Sequence, residues 1–225
     1  MKKGFILLVV GFVFYTGVAQ NNEEAIALEK EIVRFAKNIG DPSVVSVGMY
    51  KLIALEGANS TYKDSLAYIY YSSRKYASCF LMANEVLKRD PKNQGILEIK
   101  AISLESLGAI DKSVEVYEEL FALSKNNYHG FTLAKLQLTM KKNEEAYKTI
   151  KEVENLNDTG KYKVSFSINQ NHNQQVELLA AIPYLKGVIE VDLDKDTEAK
   201  ASFQKALKIQ PDFVLAQENF DALNK

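Results

Sequence analysis

The chain has 225 residues, 25% of them charged, with 28 Lys and Arg against 29 Asp and Glu, which gives a net charge of −1. This balance argues against nucleic acid as a partner, because phosphate binding requires a clustered basic surface. The single cysteine, Cys79, excludes an internal disulfide, so the fold must rely on packing and we expect this thiol to be buried.

Residues 1–19 are predicted to be a secretory signal peptide. Two lysines precede an apolar run from Phe5 to Tyr15, and the small residues that follow end at Ala19, where we expect cleavage. The run is shorter than the roughly 20 residues of a membrane-spanning helix, so no membrane insertion is expected after cleavage. An uncleaved N-terminal anchor is the alternative. The short, lysine-led start is typical of bacteria, which predicts an exported, periplasmic protein.

The rest of the chain is predicted to be helical, because apolar residues recur mostly at three- and four-residue spacing. Asp41-Pro42 supplies a helix-starting acceptor and a preset φ angle, and Thr61-x-x-Asp64 is typical of a capping box. The predicted helices are 23–38, 42–57, 62–73, 77–89, 95–107, 111–124, 129–141, 143–156, 174–191, 197–209 and 213–223.

Two segments of the chain align with each other, namely YASCFLMANEVLKRDP at 76–91 and DTEAKASFQKALKIQP at 196–211. Between them, Ser113, Tyr117 and Leu120 recur at the same spacing, and a weaker copy contains Ala146 and Ile150. Small residues at fixed positions let paired helices cross closely, while aromatic residues fill the space between neighbouring pairs. These small residues are Ala67, Cys79, Ala101, Ala199 and Ala206.

This pattern resembles the tetratricopeptide repeat. The resemblance implies an all-α α-solenoid of antiparallel helix pairs, with repeats at about 60–93, 94–127, 128–158 and 180–213. A C-terminal capping helix is expected at 213–223. Residues 20–59 are predicted to form an additional N-terminal helix pair, either a diverged repeat or a cap.

Residues 159–173 form an insertion between the last two repeats. The segment KYKVSFSIN alternates strictly, which predicts an extended strand. Its apolar side could pair with a partner's strand, and the alternative is a loop that packs over the repeats. The apolar residues are Tyr162, Val164, Phe166 and Ile168.

In the tetratricopeptide family the first helix of each pair lines the concave surface. Carried over by position, the resemblance implies a partner-binding groove formed by Asp64, Tyr68, Tyr71, Glu98, Ile102, Glu105, Tyr184, Val188 and Asp192, with Thr132 and Leu136 in the third repeat. This mixture of aromatic and acidic side chains suits a peptide with apolar anchors and some positive charge.

No catalytic, cofactor or metal site is predicted. The acidic run from Asp192 to Glu198 fails as a calcium loop, because Thr197 and Phe203 occupy the positions that require Gly and an acidic residue. His129 and His172 lack metal-ligand spacing, and His129 is expected to be solvated. The sequence therefore predicts a non-enzymatic adaptor of the cell envelope that binds a protein or peptide. The alternatives are a self-associating subunit of an envelope or secretion complex, and an envelope hydrolase or ligand-binding protein.

Overall fold

The computed structural model describes residues 22–156 and 162–224, and most of them are helical. The predicted signal peptide lies outside these residues. The helices are α1 (22–39), α2 (Pro42–Glu56), α3 (Tyr62–Ser72), α4 (Tyr76–Arg89), α5 (Gln94–Ser106), α6 (Ile110–Ser124), α7 (Asn127–Thr139), α8 (Asn143–Glu154), α9 (Leu178–Val191), α10 (Asp196–Ile209) and α11 (Val214–Ala222). Two strands, β1 (Lys163–Asn169) and β2 (His172–Glu177), lie between α8 and α9. The predicted all-α fold class is confirmed.

The chain divides into two compact units, with the boundary between Ile99 and Lys100 inside α5. In unit 1, the core of α1, α2 and α3 includes the fully buried Met49, Leu52 and Leu66. A Cβ atom at Gly48 would overlap a methyl group of Val33, so α1 and α2 cross closely at this glycine. The N-terminal pair therefore has a small residue at its helix contact, which the repeat alignment does not reveal.

A second core in unit 1 joins α3, α4 and the start of α5. Ala67, Cys79 and Ala83 are fully buried there together with Val86 and Ile96. The sequence prediction of a packed, buried Cys79 is confirmed. Because these side chains are small, the helix axes can approach closely, and the neighbouring apolar side chains fill the space around them.

In unit 2, helices that follow each other in the chain pack against each other from α6 through α11. Ala199 and Ala206 of α10 are fully buried, as the repeat pattern predicts. A Cβ atom at Gly187 would lie 2.6 Å from the buried ring of Phe203, so this α9 glycine gives the α10 aromatic room to pack. Ser113 Oγ donates a hydrogen bond of 2.9 Å to the carbonyl oxygen of Ala101 and so links α6 to α5.

Each turn between paired helices contains one residue in the left-handed conformation. These residues are Gly40, Arg74, Gly108, Lys141 and Asp194, with φ between 55° and 76°. The amide that follows each of them donates to the carbonyl five residues earlier, as in Lys75 to Tyr70 and Ala109 to Leu104. This is the hydrogen bond of a Schellman helix end, and it occurs once in each pair. Three of the five positions lack glycine, so the sequence does not reveal those three turns.

The predicted strand of the insertion is present, but the helix predicted from residue 174 begins only at Leu178. β1 pairs antiparallel with β2, with Val164 opposite Val176 and Phe166 opposite Gln174. Val176 is fully buried. Residues 174–177 are therefore extended, because cross-strand pairing and the burial of Val176 outweigh the local helical pattern.

Candidate interaction surface

Three of the predicted groove residues of unit 1, namely Asp64, Tyr68 and Glu98, lie close together. The Tyr68 side chain of α3 is 46% exposed, and its hydroxyl lies against Gly95 at the start of α5. Any Cβ atom at Gly95 would overlap that hydroxyl. Burial first, and then the negative charges of Glu98 and Asp64, raise the pKa of Tyr68 above its ordinary value. The partly exposed phenol is therefore protonated at neutral pH and has two carboxylates nearby.

Asp64 is held in place by an arginine of the next helix. Arg89 Nη2 of α4 donates to Asp64 Oδ2 at 2.5 Å, and Arg89 Nη1 donates to the carbonyl oxygen of Ser60 at 2.8 Å. Asp64 therefore fastens α3 to α4 and is already neutralised in part. Tyr71 is partly buried and packs against the second core of unit 1, so it contributes more to packing than to the surface.

In unit 2 the predicted acidic groove residues lie beside lysines. Glu105 Oε1 is 3.8 Å from Lys135 Nζ, and Asp192 Oδ2 is 3.7 Å from Lys141 Nζ. Ile102 and Val188 are half-buried. These carboxylates attract an incoming cation less strongly than unpaired ones would, because each already has a cation of its own.

Three predicted groove residues of unit 2 belong instead to packing. Leu136 is 2% exposed, and Thr132 is buried with its hydroxyl donating to the carbonyl oxygen of Tyr128 at 3.0 Å. Tyr184 lies in an aromatic cluster, with ring centroids 5.3 Å from Phe166 and 4.7 Å from Phe213. The hairpin covers this part of α9, which a repeat pattern without an insertion does not anticipate.

The apolar row of the insertion faces the helices. Phe166 packs on Phe213 at 5.1 Å between centroids, and Tyr162 stacks on Tyr128 of α7 at 4.9 Å. Val164 and Ile168 are half-buried, whereas the alternating polar residues of β1 are exposed. This arrangement favours the alternative in which the insertion packs over the repeats.

Two glutamines attach β2 to the segment between α10 and α11. The Gln174 amide donates to the carbonyl oxygen of Asp212 at 2.6 Å and accepts from the Val214 amide at 3.1 Å. Gln210 accepts from the Glu177 amide at 3.0 Å and donates to the carbonyl oxygen of Gln175 at 3.3 Å. The outer edge of β2 is therefore occupied by the chain's own side chains.

A network of ion pairs connects three helices of unit 2. Glu154 of α8 accepts hydrogen bonds from Lys186 of α9 at 2.9 Å and from Lys205 of α10 at 2.6 Å. Burial of the carboxyl acts to raise the pKa of Glu154, but the two lysines outweigh it and lower this pKa. Glu190, which is 1% exposed, accepts from the Ser202 hydroxyl at 2.6 Å. The network therefore links α8, α9 and α10.

Across the described ranges, no group of three or more His, Cys, Asp or Glu side chains is arranged to hold a metal ion. His129 is buried, and its Nδ1 lies 2.9 Å from the Ser124 hydroxyl, so the prediction of a solvated histidine is wrong. Among the helices of the described residues, none combines the length and apolarity needed to cross a bilayer.

The geometry of paired helices agrees with the comparisons to known proteins. Residues 181–213 match the tetratricopeptide repeat. The matched segment covers most of α9, all of α10 and the following Phe213. No curated protein sequence matches this chain closely enough to indicate a relationship.

Solved structures of tetratricopeptide proteins share the fold at low sequence identity. YrrB, a protein described as having an unusual peptide-binding site, is 16% identical with a TM-score of 0.66, covering 91% of this chain and 96% of YrrB. A tetratricopeptide repeat protein from Parabacteroides merdae is 16% identical with a TM-score of 0.60, covering 91% and 72%. MamA from Desulfovibrio magneticus is 14% identical with a TM-score of 0.56, covering 72% and 81%. These likenesses confirm the helix-pair fold.

Proposed function

We propose that this protein is a non-enzymatic scaffold of the bacterial cell envelope that binds a peptide segment of a partner protein. The observation that carries the proposal is Tyr68, a half-exposed aromatic ring beside Glu98 and Asp64 on the first helix of a repeat. The fold supports a binding role, because stacked helix pairs present extended surfaces to other proteins. The predicted signal peptide at residues 1–19 supports the envelope as the compartment.

The chemistry around Tyr68 favours a basic side chain in the bound peptide. An exposed tyrosine face attracts a Lys or Arg cation, and this attraction strengthens when the cation is partly desolvated. Glu98 adds a negative charge on the same side, which raises the rate of encounter as well as the affinity. The glycine at position 95 keeps the phenol close to the backbone of α5, where its hydroxyl can donate to a peptide carbonyl.

Photo-crosslinking in living cells tests this proposal. A photoreactive amino acid replaces Tyr68 in the full-length protein, and a second strain carries it at Leu81, an exposed position of α4. We expect a discrete crosslinked partner from position 68 and none from position 81. The Glu98→Lys substitution, combined with the crosslinker at position 68, should reduce the yield at least about tenfold, since it reverses the local charge. Equal yields at the two positions would contradict binding through this surface.

A further inference from the structure

One face of α1 carries a row of large apolar side chains that the described residues leave uncovered. Phe35 is 64% exposed, whereas Val33 and Ala36 on the adjacent face are buried against α2. Single exposed apolar residues are ordinary, but a contiguous row of them marks an interaction surface. We call this row, together with one neighbour from α2, the α1 face. It consists of Leu28, Ile32, Phe35 and Ile39 of α1 with Val44 of α2.

The spacing of the apolar residues along α1 indicates which kind of element covers the α1 face. The apolar residues lie four, three and four positions apart, which is the alternation of a seam between two helices. Ile39 and Val44 also border a groove of about 450 Å³ between α1 and the start of α2. The α1 face therefore fits another apolar helix, and in repeat proteins the outer helices need a polar surface unless a further element packs on them.

The charged residues beside the apolar row of one copy are complementary to the same residues of a second copy. Glu31 and Arg34 are both exposed and pair within α1 at 2.7 Å. In an antiparallel pairing of two α1 helices about a two-fold axis between Ile32 and Phe35, Glu31 of one copy lies within about 3 Å, along the helix axis, of Arg34 of the other. A parallel pairing would instead place Glu31 opposite Ala36, with no charge to meet it.

We infer that the α1 face binds a second copy of this chain, with the two α1 helices antiparallel. Leu28 of each copy then lies opposite Ile39 of the other, and Ile32 lies opposite Phe35. This interface is separate from the Tyr68 surface, because it uses α1 and α2 instead of α3 and α5. If the protein does not dimerise, the peptide-binding proposal still stands. If Tyr68 binds no peptide, the dimer interface still stands.

Sedimentation equilibrium of protein produced from the full 225-residue chain tests the interface. We expect a dimer whose dissociation constant rises at least about 100-fold in Phe35→Asp, since each dimer loses two aromatic anchors and gains two carboxylates in an apolar seam. Leu81→Asp is the matched control, because Leu81 is also 64% exposed in unit 1 and should leave dimerisation unchanged. Unchanged circular dichroism of both variants ensures that folding is retained.

Mixing two charge variants tests the orientation. Glu31→Arg and Arg34→Glu each place like charges across the antiparallel seam and should dimerise weakly alone. A mixture of the two should form a heterodimer, because opposite charges then face each other between copies, although both internal pairs stay broken. An antiparallel dimer also predicts that Leu28→Cys disulfide-links to Ile39→Cys in a mixture and that neither variant links efficiently to itself.

A wild-type protein that remains monomeric up to its solubility limit would overturn the inference, as would a dimer that Phe35→Asp does not weaken. Sedimentation with phosphatidylglycerol vesicles tests the remaining alternative, in which the α1 face binds a lipid surface. Retention of a monomer on these vesicles, lost in Phe35→Asp, would assign the α1 face to a lipid surface and exclude the second copy.

Discussion

At the scale of single residues, the left-handed turn within each helix pair is held by the fold and not by the residue type. Arg74, Lys141 and Asp194 adopt a conformation that disfavours residues with a Cβ atom, whereas Gly108 adopts it freely. The hydrogen bond from the following amide compensates for this strain in every pair. These turns therefore have the same geometry with different intrinsic stabilities.

We expect substitutions at two equivalent turns to act in opposite directions. Arg74→Gly should raise the free energy of unfolding by about 0.5–1 kcal/mol, because it relieves the strain of a positive φ. Gly108→Ala should lower it by about 1 kcal/mol or more, because alanine is strained at φ 76°. Urea unfolding followed by circular dichroism measures both. Changes of the same sign would show that local backbone strain does not decide the stability of these turns.

The exposure of individual side chains also divides the predicted groove residues into exposed and buried ones. Tyr68 is half-exposed, while Leu136, predicted from the same position of a later repeat, is buried, as is Thr132. A residue on the first helix of a pair faces either the groove or the neighbouring helix, and a shift of one residue rotates it by about 100°. A degenerate repeat does not fix that rotation.

At the scale of elements, the β1–β2 hairpin behaves as part of the helical core. Phe166→Ala should lower the free energy of unfolding by about 1–3 kcal/mol, because its ring is half-buried between Tyr184 and Phe213. Ser165→Ala, on the exposed side of the same strand, should change it by less than about 0.5 kcal/mol. Thermal unfolding checks both variants. A neutral Phe166→Ala would instead revive the hypothesis that this row binds a partner.

The contact among α8, α9 and α10 should depend on pH through Glu154. Its pKa is lowered in the folded protein, so its contribution is present above the ordinary value of 4.5 and is lost as the pH falls through the lower, folded value. We expect Glu154→Gln to lower the free energy of unfolding by about 1 kcal/mol at pH 7, since it breaks both lysine pairs. Urea titrations at pH 7 and pH 3 should show this difference shrinking at the lower pH. A difference that is equal at both values would contradict a role for the ionised carboxylate.

At the scale of the whole molecule, the proposed compartment rests on the first nineteen residues. Removal of residues 1–19 would take two of the 28 Lys and Arg residues and leave 26 basic against 29 acidic side chains, a net charge of −3. We expect the protein isolated from cells to begin at Gln20, because small residues precede that position. Mass spectrometry of the intact protein measures this directly. A retained residue 1 would favour the alternative of an uncleaved anchor.

The sequence alone was sufficient to predict most helices of the described residues and the small residues at their contacts. Ala67, Cys79, Ala199 and Ala206 were identifiable because helix pairs that cross closely require small side chains at fixed intervals. The alternation from Tyr162 to Ile168 likewise predicted an extended segment, because a period of two is a local property of a strand.

Only the tertiary structure decided which surfaces remain exposed. Tyr184 matches the groove position by spacing, yet it is covered because Phe166 and Phe213 approach it from other parts of the chain. The extension of β2 to Glu177 depends on its partner strand and on Gln210, 33 residues away from Glu177. The exposed row of α1 depends on the position of α2, which buries one face of α1 and leaves the next face open. Periodicity is local and can be read from the chain, whereas exposure is set by contacts between distant residues.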